Sequence, residues 1–356
     1  MDFKKSIYFI AETAFHHEGD IGFLMNLVHD ISKTEVDAIK FHLLFDLKDY
    51  IIKNHPAEAV LQKISISEQN WLQVFDNIKE TDKKIILLCN DLKSLEFAIN
   101  IQEQYPIDAI ELHSTGLNDI FLLEEAKKFK KSIILGIGGS TFDEVQFAID
   151  FLKAQNKNEI ILMHGFQSYP TNYNDINFRR IDLLSNAFGL PIGYADHTDP
   201  KDPNNEMISV LPIMNGVKIL EKHVTNKFGD QRIDAQAAVN IETMNKIVQL
   251  ANTLNQTLGK NNLYFSDAEL NYGDTGPMKK ALVARKPIKK GETVTKENIA
   301  FKRTTSSSPL LQKDIYKILG NNALEDIEVD ALLTNMNVGY TFKKQNFDQF
   351  FVSDKK

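Results

Sequence analysis

Short apolar runs recur along the chain as far as residue 225, and amphipathic stretches separate them. The runs are rich in Ile, Leu and Val, which is typical of parallel strands covered by helices. The eight runs span residues 6–13, 36–45, 83–91, 108–114, 131–138, 158–166, 190–198 and 216–225. Eight β–α alternations predict a (β/α)8 barrel over residues 1–258. An open doubly wound sheet is the alternative, but the segment after the first run lacks the glycine-rich dinucleotide turn.

The β–α alternation stops after residue 258. Residues 259–278 are rich in turn-forming residues and predict a linker. Residues 279–356 begin with short β-rich runs interrupted by Lys-Gly-Glu, and their length suits a small β-rich domain.

Three of the apolar runs end in a charged residue followed two positions later by a histidine. These pairs are Lys40 and His42, Glu111 and His113, and Glu221 and His223. Residues two apart on a strand point to the same face, and an unpaired charge is costly to bury. Because catalytic groups of a barrel come from the C-terminal strand ends, the pairs predict an active site there.

Histidines near carboxylates also indicate a site for a divalent metal. His197 and His223 lie on consecutive predicted strands, with Asp196 and Glu221 beside them. Neither the His-x-His nor the HExxH spacing is present, and a single histidine is more often structural. The metal hypothesis therefore depends on the histidines being gathered by the fold.

Lys40 admits three interpretations. Its ammonium can bind a carboxylate or phosphate, it can react as an amine, or it can form an ion pair with Glu12 or Glu111. Residues 114–116 and 138–140 are likewise ambiguous, because Gly, Ser and Thr at such positions either present N–H groups to an anion or cap helices.

Composition narrows the range of partners. The net charge of −7 and the pI near 5.8 argue against a general nucleic-acid binder. The single cysteine, Cys89, excludes an internal disulfide framework. The sequence has no apolar stretch of transmembrane length and no signal peptide, so we expect a cytoplasmic protein without membrane partners.

Longer motifs resemble the sialic acid synthase family, the phosphoenolpyruvate-dependent synthases of nonulosonic acids. IAETAFHHEGD (10–20) is similar to IAE-x-x-x-NHNGD, GYADHT (193–198) to GYSDHT, and ILEKHVT (219–225) to IEKHFT. The C-terminal segment resembles the antifreeze-like (SAF) module of that family. The resemblance implies a TIM barrel followed by a SAF domain, in a homodimer whose subunits exchange SAF domains.

The family joins C3 of phosphoenolpyruvate to the aldehyde of an open-chain N-acetylhexosamine, with Mn²⁺ or Mg²⁺ polarising the aldehyde. The resemblance assigns the metal to His197 and His223 and a nearby carboxylate to Glu12. It assigns phosphate binding to Lys40 and Ser114, and the sugar site to Tyr169, Asp234 and Arg303. The strand-end pattern adds catalytic candidates (Glu111, His113 and Asp196) and substrate-binding candidates (His42, His164 and Gln167).

The chain departs from the family at the end that binds phosphoenolpyruvate. Glu111 stands where the family has a lysine, and His113, Gly136 and Ala195 replace other residues of that end. A glutamate in place of a lysine repels a trianionic ligand. Three interpretations stay open: a divergent synthase that uses phosphoenolpyruvate, a metal-dependent enzyme that makes or cleaves C–C bonds with another partner, or a sugar-binding homologue without catalysis.

Overall fold

The computed structural model describes residues 1–2, 7–154, 158–166, 168–259 and 263–342. Contacts divide the chain into two compact units, Met1–Lys260 and Asn261–Lys356. None of the helices in the described ranges is both long and apolar enough to cross a membrane.

In the first unit, eight parallel strands of the described residues close into a barrel, because β8 pairs with β1 as well as with β7. The strands are β1 (Tyr8–Glu12), β2 (Ala38–Leu43), β3 (Lys84–Cys89), β4 (Ile107–Leu112), β5 (Ser132–Gly136), β6 (Ile160–His164), β7 (Ile192–Asp196) and β8 (Ile219–Thr225). A short β9 (Val239–Asn240) pairs with the end of β8. Each predicted run overlaps one barrel strand, so the predicted barrel is confirmed.

Helices follow the strands and cover the barrel. They are α1 (Ile21–Ser32), α2 (Leu47–Tyr50), α3 (Glu58–Ile64), α4 (Glu68–Lys79), α5 (Leu92–Ile101), α6 (Ile120–Ala126), α7 (Phe142–Lys153), α8 (Tyr173–Ile176), α9 (Arg179–Phe188), α10 (Asn205–Val210) and α11 (Ile241–Thr257). Short 3₁₀ helices span Ser114–Gly116 and Leu211–Asn215. Helix α4 buries Trp71, Val74, Phe75 and Ile78, whose spacing places them on one face.

Alternation along each strand divides its side chains between two cores. Outward residues such as Phe9, Phe41 and Leu87 join the large cluster beneath the helices. Inward residues fill the barrel; they are Tyr8, Ile10, Ala38, Ile86, Ala109, Ile134, Ile161, Met163, Ala195 and Ile219. Four inward positions closer to the C-terminal strand ends carry ionisable side chains, namely Glu12, Lys40, Glu111 and Glu221, so this part of the barrel interior is polar.

The second unit has its own small core. Strands β10 (Ala281–Ala284) and β11 (Ile299–Lys302) pair antiparallel, and the helices are α12 (Asp267–Tyr272), α13 (Ile315–Ile318) and a 3₁₀ turn at Gln312–Asp314. Buried Leu282, Val294 and Leu333 belong to the core of this unit. The segment predicted as a linker contains helix α12, because Ser266 and Glu269 form a capping box at its start.

Candidate functional site

Lys40 is enclosed by carboxylates inside the barrel. Its Nζ lies 2.7 Å from Oε2 of Glu111 and 3.6 Å from Oε2 of Glu12. It also donates to both carboxylate oxygens of Glu221, each at 2.9 Å. All four side chains are buried, with Lys40 only 2% exposed. The ion pair anticipated for Lys40 is therefore present. It also includes Glu221, which lies on β8, the strand that pairs with the other edge of β1.

The pKa values of the glutamates around Lys40 shift in different directions. Burial opposes ionisation, but Lys40 and His223 hold the pKa of Glu12 well below its ordinary value. Burial and the carboxylate of Glu12 raise the pKa of Glu221 well above its ordinary value, and burial also raises the pKa of Glu111. Despite burial, Glu111 and Glu12 raise the pKa of Lys40. Because a nucleophilic lysine needs a lowered pKa, the carboxylates argue against an amine that reacts with carbonyl groups.

Glu12, His197 and His223 lie together, and the ligand atoms they offer are within 4.8 Å of one another. His223 Nε2 is 3.3 Å from Glu12 Oε2, and the two imidazole ring centres are 4.9 Å apart. Nδ1 of each histidine is buried and has no hydrogen-bond partner among the described residues. Burial lowers the pKa of His197 to about 3, so its imidazole is neutral and able to ligate. These residues fit a divalent ion, with Glu12 joining the two predicted histidines.

A cavity of about 40 Å³ adjoins Lys40, which is enough space for a few water molecules. Among the described residues that line it, Lys40 is the single lysine or arginine. The lining includes the predicted residues Glu12, His42, Glu111, His113, Ser114 and His197, together with Gly136, Ala195 and Glu221. His42 Nε2 is hydrogen-bonded to Glu12, and His113 Nδ1 accepts from the Thr115 N–H at 3.3 Å. Burial lowers the pKa of His113 to about 4, so this histidine is neutral.

Gly136 and Glu111, two of the residues at which the chain departs from the family, lie next to each other. A Cβ added at Gly136 would lie 3.3 Å from Glu111 Oε1 and 3.2 Å from the Ser114 nitrogen. These separations are tighter than most real Cβ contacts. The missing side chain at Gly136 therefore leaves room for the Glu111 carboxylate, and the two residues suit each other.

Asp196 points away from the cavity, toward the helices. Its carboxylate lies 2.5 Å from Nζ of Lys222, which is also fully buried. It accepts further hydrogen bonds from Tyr194 Oη, Thr198 N and Oγ1, and Ser209 Oγ. Burial opposes ionisation, but Lys222 holds the pKa of Asp196 below its ordinary value. The structure does not bring Asp196 to the other candidates; it ties β7 to β8 and to α10.

Replacing Lys222 by methionine is expected to destabilise the fold by about 3–5 kcal/mol, because Asp196 would stay buried without its cation. Urea unfolding of the purified variant measures this free energy. The double variant Lys222→Met/Asp196→Leu should recover most of the loss, since no charge is left unpaired. A single variant as stable as the parent protein would refute the structural role of this pair.

Tyr169 lies close to His197 and His223, and Asp234 contacts the segment after β1. The Tyr169 hydroxyl is buried and has no hydrogen-bond partner in the part of the chain that the structure describes, and its ring centre is 5.5 Å from that of His197. Burial and the charge of Asp234 raise the pKa of Tyr169, so the hydroxyl keeps its proton. Asp234 Oδ2 accepts from the Phe15 N–H at 3.2 Å, which fixes the segment after β1.

The remaining predicted residues are placed elsewhere or fall outside the description. His164 Nε2 is committed to the Ile176 carbonyl at 2.9 Å, and it does not line the cavity. Arg303 belongs to the second unit, where its Nε donates to the Pro277 carbonyl at 2.7 Å. Gln167 lies outside the described residues.

Sequence reasoning assigned no role to His16. This residue is fully buried beside His223, with ring centres 6.2 Å apart, and neither of its ring nitrogens has a hydrogen-bond partner within the described ranges. The available signal was its position directly after the first strand, in the same stretch as Glu12.

Comparisons with known proteins agree with this architecture. Residues 27–262 match the NeuB family and residues 279–338 match the SAF domain. The chain is 29% identical over 307 residues to the uncharacterized protein MJ1065 of Methanocaldococcus jannaschii, covering 83% of this chain and 84% of that protein. It is 24% identical over 345 residues to N,N'-diacetyllegionaminic acid synthase of Campylobacter jejuni, covering 92% and 99%.

A solved structure shares the fold. The N-acetylneuraminic acid (sialic acid) synthetase of Leptospira borgpetersenii, in complex with citrate, superposes with a TM-score of 0.67 at 22% identity, covering 75% of this chain and 90% of that one. A closed parallel barrel and a match to the SAF domain after it in the chain agree with the sialic acid synthase family. The chain belongs to the NeuB family, whose members similar to it include legionaminic and pseudaminic acid synthases.

Proposed function

We propose that the protein is a metal-dependent synthase that joins phosphoenolpyruvate to the aldehyde of an N-acetylhexosamine-type sugar in surface-carbohydrate biosynthesis. The observation that carries this proposal is the cluster of Glu12, His197 and His223 beside Lys40, in a member of the NeuB family. In such a reaction, C3 of the donor bonds to the aldehyde carbon. Water adds to C2 of the donor, and phosphate leaves.

The residues of the site fall into a metal-binding group and a group around Lys40. Glu12, His197 and His223 would hold a divalent ion, for which the family resemblance implies Mn²⁺ or Mg²⁺. When bound, the ion polarises the aldehyde oxygen. The partnerless Tyr169 hydroxyl offers a donor to the sugar beside this centre. Burial and Glu12 raise the pKa of Glu221, whose carboxyl group accepts hydrogen bonds from Lys40.

A second candidate function is supported by the pairing of Lys40. The only cation of the cavity lining in the described chain contacts Glu111 and Glu221, so carboxylates of the protein occupy the place of a bound anion. The cavity of about 40 Å³ also leaves little space for a phosphate group. We therefore propose as the alternative that the metal-bound sugar aldehyde reacts with, or is released from, a less anionic carbon compound. Glu111 and His113 would then supply acid–base groups.

Phosphate release separates these functions. The full-length protein, loaded with Mn²⁺, is incubated with phosphoenolpyruvate and a panel of N-acetylhexosamines. Phosphate released only when a sugar is present supports the synthase. Turnover with pyruvate or another carbonyl donor, without phosphate release from phosphoenolpyruvate, supports the second function. Sugar binding without any turnover contradicts both.

Glu111→Lys is expected to strengthen phosphoenolpyruvate binding at least tenfold. Two unit charges at 4 Å interact by about 4 kcal/mol at an effective dielectric constant of 20, and one third of this energy already corresponds to about tenfold. Calorimetric titration with phosphoenolpyruvate measures the change.

Glu80→Lys is the matched control, because it makes the same change of charge at an exposed position on the end of α4. Gly136→Ser alone should crowd both the Glu111 carboxylate and the Ser114 backbone nitrogen. Tight phosphoenolpyruvate binding by the unmodified protein would show that Glu111 does not oppose the anion.

The assembly and boundaries are also proposals. We propose a cytoplasmic homodimer with exchanged SAF domains, a barrel over 1–258, a linker over 259–278 and a SAF domain over 279–356. Light scattering of the full-length protein tests the dimer. Loss of activity when the SAF domain is deleted would support a contribution of that domain to catalysis.

A further inference from the structure

His42 and Glu12 meet at the C-terminal end of the barrel because of the register between β1 and β2. Glu12 pairs with Lys40 across these strands, and His42 lies two positions further along β2, on the same side as Lys40. Thr13 ties the two strand ends together, since its N–H and its hydroxyl both donate to the Lys40 carbonyl at 3.0 Å. The register therefore brings the His42 side chain to the Glu12 carboxylate.

One oxygen of Glu12 is committed to His42. Nε2 of His42 is hydrogen-bonded to Oε1 of Glu12, and both side chains are only 4% exposed. Burial opposes ionisation, but Lys40 and His223 hold the pKa of Glu12 well below its ordinary value, so the carboxylate is ionised and can only accept. Nε2 of His42 therefore carries the proton and donates this hydrogen bond.

The other oxygen of Glu12 is placed for a metal ion. Oε2 of Glu12 lies 3.3 Å from Nε2 of His223. Two ligand atoms that are each about 2.1 Å from a shared ion are separated by about 3.0–3.4 Å, for angles between about 90° and the tetrahedral value. These two atoms are thus spaced as ligands of one ion, and His197 offers a further ligand atom in the same group.

The His42 ring is itself held in place. Phe15 packs edge-on against it, with ring centres 4.9 Å apart and an interplanar angle of 81°. The Phe15 N–H donates to Oδ2 of Asp234 at 3.2 Å, which anchors the segment that carries the phenyl ring. Functional groups are held most accurately by side chains whose own conformations are fixed by packing. The contact with Phe15 therefore supports one orientation of His42, with Nε2 toward Glu12.

We propose that His42 is a positioning residue of the metal centre: its Nε2–H holds Oε1 of Glu12, so that Glu12 binds the ion through Oε2 alone. The proposal rests on the metal centre proposed above. It replaces the expectation that His42 binds substrate, because its Nε2 is used within the protein. Residues that hydrogen-bond a ligating carboxylate fix its orientation, and their loss weakens metal binding.

Calorimetric titration of the metal-free, full-length protein with Mn²⁺ tests the proposal. His42→Leu removes the donor and should weaken Mn²⁺ binding by about 10- to 100-fold. His42→Gln places an amide N–H near the position of the imidazole Nε2, so it should recover most of the lost affinity. An affinity of His42→Leu equal to that of the parent protein overturns the proposal. So does a His42→Gln variant that binds no better than His42→Leu.

His164 provides the matched control. It is also a buried histidine, its Nε2 is hydrogen-bonded to the Ile176 carbonyl, and it is not among the described residues that line the cavity next to Lys40. His164→Leu therefore removes a buried imidazole and one hydrogen bond, and it leaves the contact between His42 and Glu12 intact. Urea unfolding measures the stability that each variant loses. Both leucine variants should lose stability, but only His42→Leu should lose Mn²⁺ affinity. Equal losses of affinity contradict the proposal.

Nuclear magnetic resonance of the parent protein with ¹⁵N-labelled histidine tests the contact without relying on the folding of a variant. In the metal-free protein and in the protein loaded with diamagnetic Zn²⁺, Nε2 of His42 should carry a proton. A His42 whose Nε2 has lost its proton in the loaded protein does not donate to Glu12 and overturns the proposal.

His197→Ala separates this inference from the function on which it rests. If His197→Ala retains full Mn²⁺ affinity, the metal centre itself is refuted. If His197→Ala loses affinity and His42→Leu does not, the metal centre stands and His42 does not position Glu12.

Discussion

Replacing His197 or His223 by alanine is expected to abolish tight binding of a divalent ion. The affinity should fall by at least about 100-fold, because loss of a residue that only supports a metal ligand already costs up to about that much. Both imidazoles are buried, neither Nδ1 has a partner among the residues that the structure describes, and the ring centres are 4.9 Å apart next to Glu12. Removing one leaves too few ligands to offset the cost of dehydrating the ion. Calorimetric titration of the metal-free variants with Mn²⁺ and Zn²⁺ measures the effect.

A surface histidine supplies the control for this prediction. His29 lies in the last turn of α1 and is exposed, so His29→Ala should bind metal like the parent protein. Glu12→Gln keeps the size of the side chain but removes its charge, and it should weaken binding by less than either histidine variant. Unchanged titrations for both His197→Ala and His223→Ala would remove the metal centre and the function proposed from it.

Replacing Lys40 by methionine is expected to lower the free energy of unfolding by about 3–5 kcal/mol, because the buried carboxylates around it would lose their only close cation in the described chain. Three glutamates contact this one ammonium, and all are almost inaccessible to water. Urea unfolding of the metal-free protein measures the loss. The double variant Lys40→Met/Glu111→Gln should be more stable than Lys40→Met alone, since it leaves one charge fewer without a partner.

An exposed ion pair calibrates the Lys40 result. Lys246 contacts Glu242 one helical turn away on α11, where both side chains are more than half exposed. Lys246→Met should therefore cost far less than Lys40→Met, because exposed ion pairs contribute little to stability. If Lys40→Met costs no more than Lys246→Met, the cluster does not contribute to the stability of the barrel.

The period of the strands explains why the charged pairs could be recognised from the sequence. Residues two apart on a strand point to the same side of it. The inward positions are therefore shared by the members of each pair, which are Lys40 and His42, Glu111 and His113, and Glu221 and His223. The same rule separates Asp196 from His197. Adjacent residues face opposite sides, so His197 lines the cavity while Asp196 pairs with Lys222 under the helices. The motif GYADHT contains both Asp196 and His197, and the two residues make different contacts because neighbouring side chains of a strand point to opposite faces.

The assignment of partners was not available from the sequence. Lys40 was open to an anion, a reactive amine or an ion pair, and the barrel closure decided among them by bringing Glu221 of β8 within 2.9 Å. Glu221 is 181 positions away in the chain, so no local pattern contains this contact. The same holds for the space that Gly136 leaves to Glu111, which depends on the packing of β4 beside β5.

The sequence by itself determined the alternation of strands and helices, the barrel, the family and the strand ends where polar residues meet, because apolar period and short motifs are local properties. The tertiary structure decided which of those polar residues share a space. It grouped Glu12 with His197 and His223, and Lys40 with Glu111 and Glu221. It moved Asp196 to the outer layer and placed the buried His16 beside the histidines. Such groupings follow from the closure of the sheet and from burial, which act between residues far apart in the chain.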